Sequence, residues 1–127
     1  MNQAYLEHAN ISVSNPDISA KRLCDLFDWK VRWSGSSMDD GYTVHVGGSS
    51  SYVALYSSQK IHKKNNRDHT HLANLNHIAI VVSDLEEAQD RTMTLGLEPF
   101  NLRKYNPGRS FYLLDDDGLE IEVVCYD

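Results

Sequence analysis

An internal repeat constrains the fold of this chain more than any other feature of its sequence. Each half has the pattern of a strand, a helix and three further strands, and the halves follow each other at a period near 68 residues. Repeats are considered first because they can decide a whole architecture. The order predicts an α+β fold in which two βαβββ modules form a curved mixed sheet around a central cleft.

The first half shows this pattern from its amino-terminal end. Alternation of apolar residues over 6–13 predicts a strand, and Asn15 followed by Pro16 is typical of a helix start. Apolar residues at helical spacing continue this helix to near Trp29. Three strands are predicted next, around Val31–Trp33, at GYTVHV from Gly41 and at YVALY from Tyr52.

The second half repeats the order. A strand that contains His77 leads into Ser83 and Glu86, which have the spacing of a helix capping box. Gly96 is placed to close the following helix in a left-handed conformation. The three remaining strands are predicted at LEPFNLR, RSFYLL and LEIEVVCY.

Length and composition indicate one globular domain. The chain has 127 residues, of which 41% are hydrophobic and 24% charged, as in ordinary soluble proteins. We expect a single domain over 1–127, with module 1 at about 4–57, a polar linker at about 58–73 and module 2 at about 74–127.

Charge and hydropathy exclude several function classes. A net charge of −6 makes a nucleic-acid partner unfavourable, because phosphate contacts need a concentrated cationic face. No apolar run approaches the roughly 20 residues of a membrane span, and no secretory signal is visible. Two cysteines without metal or redox spacing are typical of reduced thiols, so we expect a cytoplasmic protein.

Histidines stand at the same point of two repeated strands. Alternation directs His8 and His77 away from the helices, and it directs Glu122 to one side of the last strand, where an unpaired charge would be costly. Two imidazoles and one carboxylate can hold divalent Fe, Mn, Zn or Ni and leave positions open for substrate. The alternative is that each histidine hydrogen-bonds locally and Glu122 faces solvent. Glu120, near the DDDG turn, is expected to be solvated.

Three stretches resemble the vicinal oxygen chelate superfamily: LEHANISVSNPD, LNHIAIVVSDLEEA and GRSFYLLDDDGLEIEVV. That superfamily includes glyoxalase I, extradiol dioxygenases, methylmalonyl-CoA epimerase, fosfomycin-resistance enzymes and bleomycin-resistance proteins. The resemblance extends over nearly the whole chain. It implies paired βαβββ modules with a divalent metal in the cleft between them, often in a dimer, and with substrate oxygens bound to that metal.

The resemblance also implies a ligand set. His8, His77 and Glu122 match three of the four ligand positions of the family, and the fourth falls at Ala54, which cannot ligate. This departs from the glyoxalase I and epimerase patterns. The remaining 2-His-1-Glu set is similar to extradiol dioxygenases and fosfomycin-resistance enzymes.

Two further residues are candidates for catalysis. The phenol of Tyr112, on the strand RSFYLL, can donate a hydrogen bond or a proton to a bound oxygen, and His45 is its counterpart in the first module and can act as a base. The alternatives are a packed tyrosine and a strand histidine with a local partner. Tyr52 and Tyr56 share the face of Ala54 and suggest an aromatic wall for a planar or apolar ligand.

Two functions follow from these residues. The first is a metal-dependent dioxygenase, lyase, isomerase or transferase that binds vicinal oxygens of a small molecule, with a homodimer as the expected assembly. The alternative is a metal-free protein that sequesters a small molecule, as bleomycin-resistance proteins do.

Overall fold

The computed structural model describes residues 1–63, 69–105 and 107–126. The chain divides into two compact units, Met1–His62 and Lys63–Asp127, which we name module 1 and module 2. Each module has its own four-stranded sheet and one α-helix. The α+β class and the repeated βαβββ order are therefore confirmed.

The elements have the following bounds. Module 1 contains β1 His8–Ser12, α1 Pro16–Phe27, β2 Lys30–Ser37, a short 3₁₀ turn at Met38–Asp40, β3 Gly41–Gly47 and β4 Tyr52–Ser57. Module 2 contains β5 Ile78–Val81, α2 Leu85–Thr94, β6 Phe100–Tyr105, β7 Gly108–Leu114 and β8 Glu120–Tyr126.

The two sheets have the same topology. The strand order is β1-β4-β3-β2 in module 1 and β5-β8-β7-β6 in module 2. In each sheet the first strand pairs in parallel with the last, and the other pairs are antiparallel. Equivalent strands can therefore be compared residue by residue.

Both helices begin at a side-chain cap. The side chain of Asn15 accepts hydrogen bonds from the N–H groups of Asp17 and Ile18, as the sequence predicts. In α2 the cap is Asp84, whose carboxylate accepts from the Glu87 N–H at 2.9 Å, so the predicted cap at Ser83 is wrong by one residue. A carboxylate here also interacts favourably with the positive end of the helix dipole.

The hydrophobic core of each module lies between its helix and its sheet. Helix α1 packs on β3 and β4, and α2 packs on β7 and β8. Alternate residues of these central strands are buried: Val44, Val46, Val53 and Leu55 in module 1, and Phe111, Leu113, Ile121 and Val123 in module 2. Each such burial contributes about 1.5–3 kcal/mol. The intervening residues point to the opposite sheet face, where the candidate site residues lie.

Both helices are short. Helix α1 has 12 residues and α2 has 10, whereas a bilayer-spanning helix needs about 20. Within the described ranges, no helix is both long enough and apolar enough to cross a membrane.

Candidate functional site

Strand register relates the site positions of the two modules. Ala54 of β4 pairs with His45 of β3, and Glu122 of β8 pairs with Tyr112 of β7. Since the sheets share one topology, Ala54 is the counterpart of Glu122 and His45 is the counterpart of Tyr112. The repeat thus places a carboxylate in module 2 where module 1 has a methyl group.

In module 2, His77 directly precedes β5 and faces the last strand. Its Nε2 lies 3.3 Å from Oε1 of Glu122. The side chains of His77 and Glu122 are 31% and 17% exposed, so both groups are shielded but still reachable from solvent. Two of the three predicted metal ligands therefore present donor atoms to each other within one module.

Glu120 is the main departure from the sequence-based expectation for this region. Its side chain is only 9% exposed, against 17% for that of Glu122, although its position near the turn predicted a solvated carboxylate. Its Oε1 lies 3.2 Å from Nε2 of His69, and its Oε2 lies 3.9 Å from Nδ1 of His77. The linker histidine His69 was missed because nothing in the polar stretch around it indicates a contact with β8.

The two predicted ligand histidines are oriented in the same way. Nδ1 of His8 lies 2.9 Å from Oε1 of Glu7, and Nδ1 of His77 lies 2.7 Å from Oδ1 of Asn76. An acceptor at Nδ1 favours the tautomer with its proton there and leaves Nε2 with a lone pair. Metal-binding histidines are commonly held by such a partner. The local hydrogen bonds that the sequence left as an alternative thus exist, and they are compatible with ligation through Nε2.

Tyr112 lies between two rings of module 2. Its ring centroid is 5.5 Å from that of His77, edge to face, and 6.0 Å from that of Phe100. Burial raises the pKa of Tyr112 above its ordinary value, and the charge of Glu122 raises it further. The phenol is therefore protonated at neutral pH and is a hydrogen-bond donor.

His45 lies among rings in module 1. Its ring centroid is 4.7 Å from that of Tyr52 and 5.1 Å from that of Trp33. Burial lowers the pKa of His45, and Coulombic interactions with His8 and Arg32 lower it further. The imidazole is therefore neutral at pH 7 and has a lone pair that can accept a proton.

The donor chemistry of module 2 fits a divalent metal only in part. The Nε2 of His77 and the carboxylate of Glu122 are ligand types that first-row metals accept. Among residues 1–63, 69–105 and 107–126, however, no group of three or more His, Cys, Asp or Glu side chains is arranged to hold a metal ion. Module 2 thus supplies two donors of the predicted set, His77 and Glu122.

Solved structures with the same fold span nearly the whole chain. A glyoxylase/bleomycin resistance protein/dioxygenase domain from Frankia sp. EAN1pec has a TM-score of 0.83 at 18% identity, covering 99% of this chain and 100% of its own. A genomically encoded fosfomycin resistance protein from Listeria monocytogenes, complexed with Mn(II) and sulfate, has a TM-score of 0.76 at 17% identity and covers 98% and 94%. The fosfomycin resistance protein from Mesorhizobium loti has a TM-score of 0.69 at 23% identity and covers 94% and 89%.

Sequence comparison assigns the family. No curated protein sequence matches this chain. The family model described as Glyoxalase/Bleomycin resistance protein/Dioxygenase superfamily matches residues 5–123, which include both modules and all five predicted site residues. The chain belongs to the glyoxalase/bleomycin resistance protein/dioxygenase superfamily.

Proposed function

We propose that the chain is a metal-dependent enzyme that acts on a small molecule through vicinal oxygens bound to a divalent metal. His8, His77 and Glu122 would hold the metal. The observation that carries this proposal is the shared orientation of the two histidines, each held at Nδ1 by the residue before it, with Nε2 of His77 facing Glu122 at 3.3 Å. His8 is included on the strength of the repeat, supplied by the same chain or by a second copy.

The ligand types favour a first-row metal. Imidazole nitrogen and carboxylate oxygen suit Mn, Fe, Zn or Ni, and the Listeria structure named above contains Mn(II). When bound, such a metal supplies Lewis acidity that polarises a carbonyl or stabilises negative charge on oxygen, which suits isomerase, lyase or transferase chemistry, and iron adds oxygenation.

In module 2, Tyr112 would act as a hydrogen-bond donor. Its phenol keeps its proton because burial and the charge of Glu122 raise its pKa. It can donate this proton to a ligand oxygen on which negative charge develops. Its edge-to-face contact with the ring of His77 places the phenol ring beside the proposed ligands of module 2.

In module 1, His45 would act as a base. A neutral imidazole with a lowered pKa is ready to accept a proton near neutral pH. The adjacent rings of Trp33 and Tyr52 limit how far the imidazole can turn. We assign to it the removal of a proton from a ligand held against module 1.

A metal-free protein that binds or sequesters a small molecule is the second candidate function. It is favoured by Ala54, which leaves module 1 without a carboxylate at the position of Glu122, and by the ring contacts that surround His45. Such a site would recognise its ligand by stacking and hydrogen bonding.

Elemental analysis of untagged protein purified without added metal separates the two functions. Stoichiometric divalent metal supports the enzyme. The opposite result has three parts: the purified protein contains no metal, it gains none from equimolar Mn(II), Fe(II), Zn(II) or Ni(II), and it still binds an aromatic ligand. This result would support sequestration and contradict the metal site.

We also propose a cytoplasmic homodimer. The cytoplasmic location is supported by Cys24 and Cys125, which are both free thiols, as is usual in a reducing compartment. The dimer is supported by symmetry, because a twofold dimer is the commonest symmetric assembly. Sedimentation velocity at micromolar concentration tests the assembly: a single species of twice the chain mass of 14.4 kDa is expected, and a monomer would contradict it.

A further inference from the structure

Strand β2 contains a bulge, and beside it two consecutive side chains, Arg32 and Trp33, both contact aromatic rings of module 1. The pairing of β2 with β3 shifts register between Val31 and Trp33, so Arg32 is an extra residue in the ladder. Bulges re-aim side chains and are frequent next to functional sites. The guanidinium carbon of Arg32 lies 4.6 Å from the ring centroid of Tyr52, and the indole of Trp33 contacts the ring of His45.

Four rings follow one another in this part of module 1. We name them the ring cluster: His8, Tyr52, His45 and Trp33. Successive centroids are 4.8, 4.7 and 5.1 Å apart. The first two contacts are stacked and the third is tilted. These distances lie in the range of favourable aromatic pairs, so the cluster is a series of planar surfaces.

A glycine on strand β2, Gly35, leaves room for the indole of Trp33, the last ring of the cluster. A Cβ added at Gly35 would lie 2.7 Å from Cζ2 of Trp33, so a larger residue at this position would displace the indole. Trp33 is nevertheless 49% exposed. A large apolar ring that is held in place and left half open at the end of a stack is suited to receive another planar ring.

The positively charged guanidinium of Arg32 lies beside the ring cluster. It lies against the Tyr52 ring, and its charge helps to lower the pKa of the exposed Glu7 carboxylate, with which no ion pair is formed among the described residues. The nearby carboxylate of Glu7 is already an acceptor for the Tyr52 hydroxyl at 3.2 Å and for Nδ1 of His8 at 2.9 Å. Arg32 therefore keeps donors for an anion, and a guanidinium matches a carboxylate in a bidentate pair.

We propose that the ring cluster and Arg32 form a binding site for a planar aromatic ligand that carries a carboxylate. The aromatic part would stack on Trp33, and the carboxylate would accept hydrogen bonds from Arg32. This site rests on the second candidate function, the binding of a small molecule without metal, and specifies its ligand class, so metal-free protein tests it separately from the metal site.

The experiment compares 2-naphthoate with its neutral analogue 2-naphthamide, added to full-length protein treated with a chelator. Binding is followed through the two indole N–H signals in ¹⁵N-resolved NMR spectra, which belong to Trp29 and Trp33. We expect 2-naphthoate to shift the Trp33 signal and not the Trp29 signal, and to bind more tightly than 2-naphthamide.

Three variants test which residues contribute to the binding of the two probes. Arg32→Gln should raise the Kd for 2-naphthoate by about tenfold, because a hydrogen bond to a charged group is lost, and should leave 2-naphthamide within about twofold. Gly35→Ala should weaken both probes by moving the indole. Lys21→Gln, which removes an exposed cation on α1 that pairs with Asp25, should change neither.

Equal affinity of the two probes for the wild type, an unchanged Kd in Arg32→Gln, or the lack of any Trp33 shift would each overturn the proposal. A protein that binds 2-naphthoate as expected but never takes up metal would support this site and contradict the proposed metal site. A protein that takes up metal and binds neither probe would support the metal site and contradict the aromatic binding site.

Discussion

Ala54 and Glu122 occupy equivalent positions on the last strands of the two modules, and only Glu122 is an acid. One chain therefore has one carboxylate for a metal site where a symmetric repeat would have two. We expect at most one tightly bound divalent metal per chain, measured by elemental analysis after dialysis against metal-free buffer. Two metals per chain that survive this dialysis would contradict the assignment.

Asn76 should control metal affinity without being a ligand. Its Oδ1 is 2.7 Å from Nδ1 of His77 and holds the imidazole so that Nε2 faces Glu122. Loss of such a partner costs about ten- to a hundredfold in metal affinity. Asn76→Leu should therefore weaken binding by this factor in a chelator competition, whereas Asn76→Asp keeps an acceptor oxygen and should bind as well as the wild type or better. Equal affinity of Asn76→Leu and the wild type would show that Asn76 has no such role.

His45 should titrate below the ordinary histidine pKa of 6.5, because burial disfavours its charged form. Between the lowered pKa and 6.5 the unfolded chain binds more protons at this residue than the folded chain does. This residue therefore makes folding less favourable as the pH falls below about 6.5, and its effect is absent above that pH. An NMR titration of the imidazole signals, assigned with His45→Asn, checks the midpoint, and a midpoint at or above 6.5 would contradict the prediction.

The cap of α2 gives a test of stability. The carboxylate of Asp84 accepts the Glu87 N–H, so Asp84→Ala should lower the free energy of unfolding by about 1 kcal/mol in urea denaturation. Ser83→Ala is the matched control, because Ser83 is outside the helix and should change stability by no more than about 0.5 kcal/mol. A larger effect at Ser83 than at Asp84 would mean that the helix begins one residue earlier.

Periodicity was sufficient to predict the architecture. The 3.6-residue and two-residue spacings, with caps such as Asn15 before Pro16, define which segments are helices and which are strands, and the repeat then gives two equal modules. The family resemblance predicted Ala54 at the position that corresponds to Glu122, and the register of the equivalent strands agrees with it.

The surroundings of individual side chains could be predicted less well than the architecture. Glu120 was expected in solvent because it follows a turn, but it is buried against His69, and no periodic signal links a linker histidine to β8. The bulge at Arg32 was also not predicted, since one extra residue in a strand leaves no mark in its composition. Both depend on contacts between residues that are distant in sequence.

Metal retention by Glu122→Gln, compared with Glu98→Gln, is the most direct test of the proposed function. Both variants exchange a carboxylate for an amide of the same size, but Glu122 faces Nε2 of His77 whereas Glu98 is exposed on the segment between α2 and β6. With matched far-UV spectra, we predict that Glu122→Gln retains less than about a tenth of the wild-type metal affinity and that Glu98→Gln retains all of it. Full metal occupancy in Glu122→Gln would contradict the ligand set.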